Sequence, residues 1–109
     1  MQSWTDDLTI RVPPNRTVAD LVDFVIQSAI SGVPAKRIVK RLAKEFGLSK
    51  GDAELACDRS FGGLVRAATG NPLNCPPQDK DPVAWESFQR GSSDPSLVAR
   101  IYPDLARKQ

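Results

Sequence analysis

The chain contains no histidine. That removes the commonest general base at neutral pH and the commonest metal ligand together. Its two cysteines, Cys57 and Cys75, are too few for a zinc site and too far apart for a CxxC redox pair. A single disulfide between them remains open. No stretch approaches the roughly 18 apolar residues of a membrane span. The opening MQSWTDD is acidic and lacks an apolar run, so no secretory signal is expected. A glycine-rich phosphate loop is missing as well: the FGG at 61–63 falls inside a helical pattern, and no lysine-serine or lysine-threonine follows it. These absences predict a chain that is not an enzyme, carries no cofactor and no metal, has no membrane segment, and works in the cytoplasm with reduced thiols.

The 109 residues suit one domain, large enough to fold without a disulfide or metal staple. Fifteen Lys and Arg against thirteen Asp and Glu give a formal charge of only +2. A protein whose whole surface grips nucleic acid would carry more, so any basic site must be local.

Hydrophobic spacing predicts an all-α fold. A compact three-helix core is followed by two short C-terminal helices, with residues 1–16 as an extended N-terminal arm and 17–109 as a single helical domain. In the arm, LTIRV (8–12) alternates weakly and ends at Pro13-Pro14. A lone strand needs helices or a second subunit to pack on, which leaves room for a homodimer. Thr17 and Asp20 read as a capping box opening a helix over 18–31, stopped by Gly32. Pro34 fits the first position of the next helix. Ala35, Ile38, Val39, Leu42, Ala43 and Phe46 then follow the i, i+3, i+4, i+7 template without a miss. Gly47 is placed as a left-handed C-cap with Leu48 behind it, and Ser49-x-x-Asp52 restarts the chain.

The third helix spans 50–69, with Ala53, Ala56, Cys57, Phe61, Leu64, Val65 and Ala68 as its inner face. Gly62 and Gly63 lie within it, at about 0.8–1 kcal/mol each relative to alanine. They predict a point where another helix crosses closely. GNPLNCPPQDKD (70–81) reads as a loop. Its Cys75 lacks a histidine partner and reads as a surface or loop thiol, and Cys57 as a small core residue. Asp81-Pro82 opens a short helix anchored by Trp85 and Phe88 and ended by Gly91. Asp94-Pro95 opens another, with Leu97, Val98 and Ile101 inward.

The most patterned stretch is PAKRIVKRLAKEFGLSKGDA (34–53). Lys36, Lys40 and Lys44 fall at i, i+4 and i+8, with Arg37 and Arg41 beside them and Lys50 just past the turn. This is a candidate strip for an acidic protein surface or for phosphates, set against the plainer use of lysine and arginine as a soluble helix face. VKRLAKEFGLSKGDAELA (39–56) resembles a helix-turn-helix motif: Leu42, Ala43, Phe46, Gly47 and Leu48 stand where that motif wants apolar, small, apolar, glycine and apolar residues. The resemblance implies a DNA-binding regulator using the same cations on phosphates. Its would-be recognition helix departs from the pattern, because Asp52, Glu54 and Asp58 would face the groove against phosphate charge. Partial exposure of Val33, Leu48 or Leu55 would instead offer an apolar groove rimmed with cations. The expectation is therefore a non-catalytic helical binding or regulatory module, with a protein partner favoured over DNA and with Lys36, Arg37, Lys40, Arg41, Lys44 and Lys50 as binding residues.

Overall fold

The computed structural model describes residues 12–69, 73 and 75–103. Within them the chain forms five helices and no strand: α1 (Val18–Ile30), α2 (Ala35–Phe46), α3 (Lys50–Thr69), α4 (Pro82–Ser93) and α5 (Pro95–Ile101). The all-α expectation holds. The weak strand at LTIRV falls, except for Val12, outside the described residues. Val12 packs on the helical core, and Arg16 lays its guanidinium 4.6 Å from the centre of the Phe46 ring. The last residues of the arm are thus tied to the globule by an apolar contact and a cation–π contact.

Local chemistry sets the helix ends. Thr17 Oγ1 accepts from Asp20 N–H at 3.1 Å, and Asp20 Oδ2 accepts from Thr17 N–H at 2.9 Å, which completes the capping box. At the far end of α2, Gly47 adopts φ 64° and ψ 33°, a conformation that side chains with a Cβ resist. It lets Leu48 N–H return to the Ala43 carbonyl at 3.0 Å and fold inward against the core. Ser49 Oγ then accepts from Asp52 N–H at 3.1 Å and starts α3. Pro34 is not the first residue of α2. It precedes the helix with φ −67° and ψ 152°, and its carbonyl receives the N–H groups of Arg37 and Ile38. α1 ends at Ile30, one residue early, with Ser31 as its cap.

One core joins all five helices. Leu21, Val22, Val25 and Ile26 of α1, Ile38, Leu42 and Phe46 of α2, Ala53, Ala56, Cys57 and Leu64 of α3, Val83 of α4 and Val98 of α5 are buried in it. Phe24 meets Phe46 edge to face at 5.8 Å between ring centres.

The crossing expected at Gly62-Gly63 is made by Gly63 alone, against α4. A Cβ on Gly63 would overlap the Ala84 carbonyl oxygen and come within 2.8 Å of Ser87 Cβ and 3.0 Å of Phe88 N. Gly62 faces open space. The partner surface on α4 is equally small: Ala84, Ser87 and Gly91 are buried, and Ser87 donates its hydroxyl to the Ser60 carbonyl of α3. Gly91 therefore does not end α4. It is a buried crossing residue whose Cβ would stand 2.8 Å from Ala67 Cβ, and the helix continues to Ser93. Trp85 and Phe88 are half-buried flanks, because only the small residues fit where the two backbones meet.

The two Asp-Pro starts also differ. Asp81 is fully buried and accepts from Ala84 N–H at 3.3 Å. Asp94 makes no such cap and takes the Ser96 hydroxyl instead. Arg90 of α4 closes the structure onto α1: it pairs with Asp23 at 3.0 Å, donates to the Ala19 carbonyl at 3.1 Å, and pairs with Glu86 of its own helix at 3.0 Å. Both cysteines are free thiols, so the disulfide left open by the sequence is absent.

Candidate functional site

α2 is anchored by Ile38, Leu42 and Phe46, spaced i, i+4 and i+8 and fully buried. At 100° per residue this fixes the rotation of the helix and turns the opposite arc outward. Lys36, Arg37, Lys40, Arg41 and Lys44 occupy that arc, and all five are exposed. None forms an ion pair with another described residue. The structure thus gathers five of the six sequence-derived binding residues on one face. The sixth, Lys50, is exposed but opens α3 beyond the Gly47 corner, where the N-terminal end of a helix disfavours a cation.

The strip carries an energetic cost. Lys36–Lys40, Lys40–Lys44 and Arg37–Arg41 are like-charge neighbours one turn apart. Each such pair destabilises a helix by about 0.2–0.5 kcal/mol, so the three together cost about 1 kcal/mol. No described carboxylate lies within ion-pair distance of these cations.

The outward side of α3 has the opposite sign. Glu54 and Asp58, one turn apart, are exposed, while Asp52 is partly covered. Between α2 and α3 the surface sinks into a groove of about 430 Å³, floored by Val39, Cys57, Phe61 and Tyr102 with Ala35 at its edge and Glu54 and Asp58 at its rim. Phe61 and Tyr102 meet edge to face at 6.3 Å. Burial, and to a lesser degree the nearby Asp58 carboxylate, pushes the Cys57 thiol up to about 11, so at neutral pH it is a protonated, non-nucleophilic group. Burial likewise raises the Tyr102 phenol.

A second cleft, about 410 Å³, lies on the α1 side. Arg16 and Arg41 border it together with Asp20, Asp23 and Phe24. Arg16 belongs to the cationic surface but was not legible as such: its place depends on stacking over Phe46, thirty residues away in the chain. Val33, Leu48 and Leu55 do not form the cation-rimmed apolar groove considered from sequence. All three are partly buried and pack on the core. Among the described residues the large apolar side chains left exposed are Val65 and Leu73. No three Cys, Asp or Glu side chains among those residues converge as a metal site, and no described helix is long and apolar enough to cross a membrane. No protein-family model, curated protein or solved structure matches this chain.

Proposed function

We propose that the chain is a non-catalytic helical binding module whose α2 strip docks an acidic surface on a protein partner. One observation carries this reading: Lys36, Arg37, Lys40, Arg41 and Lys44 are all exposed on one arc and unpaired with any described carboxylate, although like charges one turn apart weaken a helix. Such a strip steers a partner of opposite charge and fixes its register. The test is capture of partners from a lysate on the wild-type chain and on the Lys40→Glu, Arg41→Glu variant, with circular dichroism confirming equal folding. Acidic partners retained by the wild type and lost by the variant support the reading. An unaltered set of partners overturns it.

A second reading, a helix-turn-helix regulator gripping DNA phosphates, draws on the Gly47 corner between α2 and α3. The exposed Glu54 and Asp58 weigh against it, since they stand on the outward side of the helix that would enter the groove. The two readings part on salt. Five phosphate contacts imply a log–log slope of about −4.5, a loss of about 500-fold between 50 and 200 mM salt. Duplex affinity that is absent at 50 mM, or flat with salt, eliminates the DNA reading.

A further inference from the structure

The groove between α2 and α3 is a surface of different character from the strip, and it belongs to the other flank of α2. Its floor is apolar, from Val39, Phe61 and Tyr102 over the buried Cys57 thiol. Its volume is about 430 Å³, and it lies open to solvent. Its rim is anionic: Glu54 and Asp58 stand one turn apart, both exposed, and neither pairs with a described cation. The apolar surface continues past the groove, because Val65 lies one turn beyond Phe61 on the same side of α3 and is 37% exposed. An exposed valine in line with two half-buried aromatic rings and two unpaired carboxylates is a pattern the core does not require.

We propose that this acid-rimmed groove docks a basic amphipathic peptide segment of a partner protein. In this arrangement apolar side chains at helical spacing enter over Phe61, Tyr102 and Val39, and flanking lysines or arginines meet Glu54 and Asp58. Charge complementarity makes the assignment. The same apolar side chains flanked by carboxylates would meet two like charges across the groove, and such a juxtaposition works against binding. Among the described residues a second copy offers no match, because the cationic arc of α2 has its apolar side sunk in its own core. This surface is independent of the α2 strip, so the module would have two faces of opposite preference.

The test uses two fluorescein-labelled helical peptides with identical leucine positions, one flanked by lysines and the other by glutamates, titrated with the full chain by fluorescence anisotropy. The lysine peptide is expected to bind at least tenfold more tightly than the glutamate peptide. Glu54→Gln with Asp58→Asn, which preserves shape, should remove about tenfold of that affinity, and Val65→Ser a smaller part. Lys40→Glu with Arg41→Glu should leave lysine-peptide binding within twofold or tighten it, so failure of the strip reading and failure of this one are separable. Equal affinity for the two peptides, no binding of either, or insensitivity to the Glu54 and Asp58 changes overturns the proposal. So does a dimer in sedimentation velocity that the same double change dissociates, since the occupant would then be a second copy.

Discussion

Gly62 and Gly63 are adjacent residues of one helix, and replacing each with alanine should have opposite effects. Gly62 meets nothing within 4 Å of an added Cβ. Gly62→Ala should therefore gain the propensity difference, about 0.8–1 kcal/mol. Gly63→Ala receives the same gain but drives its methyl into the Ala84 carbonyl and to 3.0 Å from Phe88 N, both backbone atoms of α4. Neither can turn away as a side-chain tip would, so α4 must slide or tilt, straining the Ser87–Ser60 hydrogen bond and the Gly91 contact with Ala67. Overpacking of this kind costs about 1–3 kcal/mol and more where backbone must move, so the net change is a loss of about 1–2 kcal/mol. In a domain of this length that lowers the Tm by several degrees. Urea unfolding of both variants checks it, with the midpoint rising for one and falling for the other at a constant slope. If Gly63→Ala matches or exceeds the wild type, the close approach of α3 and α4 is wrong.

The like-charge repulsion along α2 predicts that Lys40→Glu stabilises the fold by up to about 1 kcal/mol, since the new carboxylate would face Lys36 and Lys44 one turn to either side. Thermal melts at low and high salt should show that gain shrinking as salt rises, and a destabilised variant would count against an unpaired strip. Asp81 gives a pH test. Burial raises its carboxyl pKa, against smaller opposing effects of the Ala84 N–H, Arg59 and Arg66, so the folded state holds the proton more firmly than the unfolded chain. Its contribution to stability is complete below the ordinary carboxyl pKa and is lost as pH rises through the folded value. Asp81→Asn preserves a capping side chain and removes the charge, so its advantage over the wild type should grow from acid to neutral pH in denaturant midpoints; an advantage that shrinks instead would contradict the burial of that carboxylate. Finally, a thiol reagent at pH 8 should label Cys75, which is exposed, and reach Cys57 only under denaturing conditions. Equal labelling rates in the native chain would place Cys57 outside the core.

The helical segments were legible because each carries its own punctuation. Thr17 with Asp20, Gly47 with Leu48, and Ser49 with Asp52 are interactions within five residues, and they fall where the spacing put them. The cationic arc was legible for the same reason, since the rotation of α2 follows from its own apolar stripe. What the sequence hid depends on which helices meet. Gly91 resembles a terminator until Ala67 and Leu64 are known to lie against it. Trp85 and Phe88 look like anchors by size, yet a backbone crossing selects for the smallest residues, so Ala84 and Ser87 go inside. The groove was invisible because Val39 and Phe61 were each assigned to the core separately, and Tyr102, which joins them from beyond α5, carried no reading of its own. Asp94 shows that an Asp-Pro pair names a helix start without fixing where the carboxylate points.

The three bonds of Arg90 also bear on the order in which the molecule assembles. Two of them reach back 67 and 71 residues to Asp23 and Ala19. Fastening such distant parts costs chain entropy that neighbouring helices avoid, so the α2–α3 corner can form early while this clasp comes last. Removing the Arg90 guanidinium would then hasten opening of the finished fold far more than it slows its making. That side chain therefore bears more on how long the native molecule lasts than on how fast it forms.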